Sequence, residues 1–197
     1  MKRVGPKLLK PLLIAVTAAT ASGWAQPAAV SDMKERIIGT WIQDSVPFTL
    51  EDMTVYVRQT VIIDAADETF KVEVFADPSL EQTLFTYDSS GPYTLLGPSE
   101  RVPGAFDINL VNTSSTITVS TDVPALFEAA EIDDCGLVVG VPVDVSDGCA
   151  APLFSVADCV DLDLIAVTGD KLRFGAEGTD RCVQRPIKLA DAPYLKR

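Results

Sequence analysis

The chain has 197 residues, 47% hydrophobic, 7% aromatic and 22% charged, with Lys+Arg 16 against Asp+Glu 28 and a formal net charge of −12. That length suits one domain burying roughly 70% of its unfolded surface, the apolar content is too high for disorder, and the acidic balance lacks the clustered Lys and Arg that phosphate contacts need, which argues against a nucleic-acid partner. The absence of histidine excludes Ser-His-Asp and Cys-His catalysis, His-ligated zinc and a His-based pH switch.

Lys2, Arg3, Lys7 and Lys10 precede an apolar run over residues 12–16 and small residues over 17–23. This is the basic, apolar, small-residue order of a secretory signal peptide. Its apolar core falls short of the roughly 20 residues that span a bilayer, and no second span follows. Cleavage after Ala25, with a cut near Gly23 as the alternative, gives a signal peptide over residues 1–25 and one domain over 26–197. The expected product is exported, periplasmic or secreted, with no transmembrane segment in the mature chain. Cleavage removes four basic residues and no acidic one, so the mature chain is more acidic still.

A short helix is expected over 32–36, where Asp32 and Glu35 stand at capping-box spacing. Beyond it the dominant period is two. Met53, Val55 and Val57 alternate with polar residues and the strand continues over 61–63. Phe70, Val72 and Val74 alternate with Lys71 and Glu73; Phe106, Ile108 and Leu110 with Asp107 and Asn109; Ile117 and Val119 with Thr and Ser. Turn signals separate these runs at 64–67, Asp77-Pro78, 88–92, Pro103-Gly104 and 112–115. Strands about ten residues apart, each with one apolar face, indicate an antiparallel barrel or sandwich rather than βαβ units. Residues 123–132 suit a short helix, and 136–148, rich in Gly and Pro, a covering loop or short edge strands.

All four cysteines, Cys135, Cys149, Cys159 and Cys182, fall late in the chain. Their spacings lack the close pairs of a metal site, and export permits disulfides. Cys159 precedes the apolar run 160–167, and Cys182 follows the run 171–174 across a turn at 168–170. Four cysteines allow three pairings; folding this segment as a hairpin favours Cys159 with Cys182, and Cys135 with Cys149 is then the other bridge.

Gly39-Thr40-Trp41, opening the first strand after a helical leader, resembles the Gly-x-Trp signature of lipocalins. Arg58, Phe75-Ala76-Asp77-Pro78, Gly91-Pro92-Tyr93, Ser99 and residues 102–107 resemble the domain of the adenomatosis polyposis coli down-regulated family. In the tail, Cys159, residues 161–164, 169–175, Asp180, Cys182, Arg185-Pro186 and Leu189 resemble its closing strands. The chain departs from the family in having no cysteine at Asp44-Ser45 or over 79–82, as the loss of one disulfide would produce. The resemblance implies an all-β, antiparallel, lipocalin-like β-barrel with a short N-terminal helix and a disulfide-tied C-terminal part, whose interior takes a lipid. The animal members' link to lipidated Wnt signals is not carried over, because a bacterial-looking exported protein has no such partner.

A barrel of about eight strands holds either packed side chains or one small ligand. Inward candidates for a pocket are Trp41, Val55, Val57, Val72, Val74, Tyr93, Phe106 and Ile108, with Phe70, Leu84, Leu110, Ile117 and Val119 beside them; alternation alone does not separate a hollow barrel from a filled one. Arg58, Arg173 and Arg185 are the strand-borne guanidinium groups that could stack on Trp41. Asp133-Asp134, Asp144 with Asp147, and Asp158, Asp161 and Asp163 read as solvated acidic faces without the spacing of a calcium loop. Nucleotide-binding and nucleophile-elbow motifs are absent, and two carboxylates meeting from distant strands are the one route left to a hydrolase. The expected protein is non-enzymatic, needs no cofactor and no metal, and binds a hydrophobic small molecule or lipid. The alternative is a filled barrel that contacts an envelope protein through its 136–148 loop.

Overall fold

The computed structural model describes residues 25–50, 53–149, 159–178 and 180–197. The expected signal peptide, apart from Ala25, and Asp158 lie outside the described residues. In chain order the elements are α1 (Ala25–Ile37), β1 (Gly39–Leu50), β2 (Met53–Ile63), β3 (Asp67–Phe75), β4 (Thr83–Pro98), β5 (Phe106–Val111), β6 (Ser114–Val119), α2 (Pro124–Ala129), β7 (Pro142–Asp144), β8 (Val160–Thr168), β9 (Lys171–Phe174) and β10 (Tyr194–Lys196). Eight strands pair antiparallel in the ring β1-β2-β3-β4-β5-β8-β9-β10, and β10 closes it on β1 through Trp41 opposite Lys196. The barrel expected from the period of two is therefore closed, with helices α1 and α2 and two disulfides added to it.

Several local expectations need correction. The first helix is longer than 32–36, so Asp32 is no cap but an interior residue facing Arg36 at 3.6 Å one turn on. Residues 88–92 do not turn. β4 runs straight through them, with Ser89 opposite Phe70 and Ser115, and Gly91 opposite Glu68. Residues 112–115 do not reverse the chain either: β5 and β6 lie end to end along β4, and the step between them is a kink. The reason is a close crossing. A Cβ on Gly91 would stand 1.8 Å from the Val111 carbonyl oxygen, so glycine serves backbone approach here rather than a turn. At this kink the sheet divides, β5 pairing with β8 inside the barrel and β6 leaving it to pair with β7.

The other turns behave as read. Asp64 Oδ1 accepts from the amides of Ala66 and Asp67 at 2.7 and 2.8 Å, and Asp77 accepts from the Ser79 and Gln82 amides at 3.0 and 2.9 Å. These are Asx-type turns, in which a short carboxylate replaces backbone partners. Residues 142–144 form the short edge strand expected of the 136–148 loop.

The register places Trp41, Val57, Val61, Phe70, Val72, Tyr87, Tyr93, Ile108, Ile165 and Leu172 on the inner face, because side chains of a strand alternate and partners share a face. They form two cores. One, at the end covered by α1, joins Met33 and Ile37 to Trp41, Val61, Ile63, Tyr93, Ile108, Ile165, Val167 and Leu172. The other joins Val55, Val57, Val72, Val74, Phe85 and Tyr87 to β6, α2 and Ile132, and the bridge Cys135–Cys149 packs against it. A third, small cluster of Ala105, Leu164 and Ala166 with Leu189 shows that the C-terminal segment covers the outer face of β8.

Candidate functional site

Trp41 is wholly buried and its indole nitrogen donates to the Ile37 carbonyl at 2.7 Å, tying β1 to α1. The cation over its ring is Lys196, 5.0 Å from the centroid, not one of the three arginines singled out from the sequence. Arg58 instead lies 5.6 Å from the Phe75 ring and pairs with Asp44 at 2.6 Å. Arg185 clamps β5 to β8, donating to the carbonyls of Ile108 and Asp163 and to Asn109 at 2.7 Å. Arg173 stands on β9 opposite Ala166.

The eight pocket residues expected from the sequence fall in two packed clusters. Trp41, Tyr93, Ile108 and Phe106 belong to the core under α1, while Val55, Val57, Val72 and Val74 belong to the other. Trp41 and Ile108 have at most 1% of their surface exposed, so no water-sized space touches them. Phe70 packs against both cores and, like Leu110 and Tyr194, stays half-buried although it faces inward. Phe70 thus lies between the cores, and Leu95, Phe106, Leu110, Phe174 and Tyr194 are half-buried against the one under α1.

The inner face beside Phe70 and Leu110 also carries acidic groups. On β8, Asp161 and Asp163 are in phase with Ile165 and Val167 and therefore point inward, opposite Leu110 and Ile108 of β5. They are not the solvated face expected of them. The apolar residues alternating with them, Leu164 and Ala166, are covered from outside, so both faces of β8 are buried. On β3, Glu68 is in phase with Phe70, Val72 and Val74 and is only 7% exposed. Its carboxyl has no hydrogen-bond or ion-pair partner among the described residues.

Arg181 supplies the local positive charge. Its segment runs beside β8, with the Leu162 amide donating to the Arg181 carbonyl at 2.9 Å, and the Cys159–Cys182 bridge pins the next residue to the start of β8. Arg181 then reaches Asp163 Oδ2 at 2.9 Å and Asp161 Oδ2 at 3.9 Å. Asp163 Oδ1 accepts from the amides of Leu164 and Gly175 at 2.6 and 2.9 Å. A Cβ on Gly175 would lie 2.4 Å from that oxygen, so this approach requires glycine. On the opposite wall, the Tyr194 hydroxyl donates to the Gln59 side chain.

Burial governs how these groups titrate. Desolvation, reinforced by the charges of Asp161 and Asp163, pushes the Glu68 carboxyl up to about 8. Desolvation also raises Asp163 to about 6, against the pull of Arg181 and its backbone donors. Burial raises the Tyr194 phenol as well, so it stays protonated and able to donate. At neutral pH a neutral Glu68 therefore shares the interior with an ionised Asp163 paired to Arg181. Such a set can hold or release a proton.

Asp161 and Asp163 were visible in the sequence as an acidic cluster, but Glu68, Arg181, Tyr194 and Gln59 were not singled out. The signal for Glu68 was present: it is a carboxylate in phase with the apolar positions 70, 72 and 74. Asp133, Asp134, Asp144 and Asp147 are exposed as expected. No group of metal-ligating side chains converges among the described residues, and no helix among them is long and apolar enough to cross a membrane. Compared with known proteins, the chain matches no family model. No curated protein sequence matches it either.

Proposed function

We propose that this is an exported, lipocalin-like binding protein that takes a hydrophobic or amphipathic small molecule, a lipid fragment included, into the middle of its barrel and performs no chemistry on it. The observation that carries the reading is the half-buried inner surface of Phe70, which packs against both cores, and of Leu110, on the core under α1. Closed barrels of this size hold at most one small ligand, and apolar walls with a few convergent polar groups are the usual composition of such sites. The disulfides fit an oxidising compartment, and the basic and apolar N-terminal residues fit export. The Gly-x-Trp opening and the tail motifs support kinship with the adenomatosis polyposis coli down-regulated family.

The test is native mass spectrometry of the protein from its exported fraction, before and after organic extraction. A stoichiometric adduct of small-molecule mass that extraction removes supports the reading. A bare mass in both samples, with no uptake of added fatty acids or amines, overturns it. That result favours the filled barrel as an envelope-protein partner. Val138, Val139 and Val141, each about half exposed on the loop closed by Cys135–Cys149, are the specific observation behind this second reading.

A further inference from the structure

Between Arg101 and Lys171 the chain has no Lys or Arg. Within that span, residues 124–149 carry Glu128, Glu131, Asp133, Asp134, Asp144 and Asp147, all exposed, and none of them forms an ion pair among the described residues. This lobe is fixed to the barrel. Leu126, Phe127, Ile132 and Val145 are buried in the core shared with β6, and the Cys135–Cys149 bridge, its Cα atoms 5.4 Å apart, brings Asp133 and Asp134 on one side and Asp147 on the other to the neck of the loop. The tip is the turn Val138-Val139-Gly140-Val141. The Val141 amide donates to the Val138 carbonyl at 3.1 Å, and the Gly140 amide donates to the Val119 carbonyl of β6 at 2.8 Å. Turns are ordinarily made of glycine and short polar residues, yet here the three valines stand together about half exposed. Neighbouring apolar side chains on an anchored turn, unlike apolar residues scattered singly, form a contact surface.

We propose that this tip docks a basic amphipathic helix of another protein, whose apolar face covers Val138, Val139 and Val141 and whose Lys and Arg side chains answer the carboxylates of the lobe. Charge selects this occupant. A second copy of the chain would set the same acids against each other, and nucleic acid and anionic lipid are repelled in the same way. No group of metal-ligating side chains converges among the described residues, so the positive charge has to arrive on a partner that also brings apolar surface. A helix suits the site better than an added strand, because β7 is the last strand of the sheet, spans three residues and opens with Pro142, which offers no N–H at the edge. The bridge and the backbone bond to Val119 already hold the tip in place, so docking orders little of this chain. The inference rests on the envelope-partner reading of this loop, to which it gives a chemistry, and it holds for a hollow barrel as for a filled one.

Fluorescence anisotropy of the full oxidised protein with three labelled helical peptides of about five turns tests this: a Lys/Leu peptide, a Lys/Ser peptide of the same charge and a Glu/Leu peptide with the same apolar face. The Lys/Leu peptide is expected to bind at least about tenfold more tightly than either of the others, and added salt should weaken it. The combined variant Val138→Ser, Val139→Ser, Val141→Ser should lose about tenfold in affinity, whereas Ile62→Ser, at a similarly exposed position on β2, should lose nothing. Neutralising the lobe with Glu128→Gln, Asp133→Asn and Asp134→Asn should weaken binding about fivefold; removing the same charge elsewhere, with Glu35→Gln, Asp170→Asn and Asp191→Asn, should weaken it far less. Cooperative melting checks the fold of each variant. Equal binding of the Lys/Leu and Lys/Ser peptides, an unchanged affinity in the serine variant, or equal losses in the two neutralised variants overturns the inference. So does a valine-dependent dimer in sedimentation velocity, which would make a second copy the occupant. Tighter binding of the Glu/Leu peptide, lost in the serine variant, overturns the basic partner and leaves a docking loop; if none of the three peptides binds, the basic partner and the envelope-partner reading both fall.

Discussion

Glu68 carries a stability signature of its own. The unfolded chain gives up this proton near 4.5, whereas the folded protein holds it to about 8. The folded state therefore binds more protons across that window, and stability falls as pH rises through it. Asp163, raised from 3.8 to about 6, acts with the same sign lower down. Asp64, Asp77 and Asp144, held low by hydrogen bonds in exposed turns, act in the opposite sense and weaken the fold only as pH drops below their ordinary range. Melting temperature should thus peak at mildly acidic pH, about 4 to 5, and decline towards pH 8. In E68Q the decline above pH 5 should flatten, and at pH 8 the variant should melt above the parent. Parallel pH profiles for the two proteins would show that Glu68 is not the repelled acid described here. The position was legible from its phase in β3, yet a carboxylate at a strand's end reads naturally as solvent-facing. Only closure of the ring, which brings β8 near β3, makes it an interior group.

At the scale of elements, the clearest lesson is the stretch 88–92. Ser-Ser-Gly-Pro is composed like a turn, and local chemistry alone supports that reading. The structure instead spends the glycine on the crossing of Val111 and lets β4 serve β3 on one edge while changing from β6 to β5 on the other. Long-range backbone contact has no local signature, which is why this misreading and that of 112–115 occurred together: they are two sides of one crossing. Gly91→Ala should accordingly be severe, costing on the order of 3 kcal/mol or more, because a backbone oxygen cannot rotate away as a side chain can. Urea unfolding measures it, and a loss under about 1 kcal/mol would mean that the crossing has slack. The C-terminal pairing shows the converse case. The hairpin logic that joins Cys159 to Cys182 gives the observed bridge, although β9 ends at Phe174 and an irregular segment completes the span. What that logic did not reveal is the consequence, that the bridge delivers Arg181 to Asp163.

For the whole molecule, alternation of apolar and polar residues was enough to indicate an antiparallel barrel, because each strand needs one dry face and few architectures provide it. Alternation could not distinguish walls from filling. The residues expected to line a cavity are divided between two packed cores, and half-buried Phe70 packs against both. Closure by three-residue β10 was equally invisible, since Tyr194–Lys196 is too short to show a period. The central claim is that the inner face around Phe70 and Leu110 receives a ligand. The direct measurement is fatty-acid affinity in the parent and in Leu110→Trp, which adds bulk on the inner β5 wall beside Asp161, with cooperative melting as the check on folding. A loss of affinity of at least about tenfold, with melting lowered only by the 1–3 kcal/mol typical of overpacking, is the predicted result. Undiminished binding in the filled barrel would contradict it.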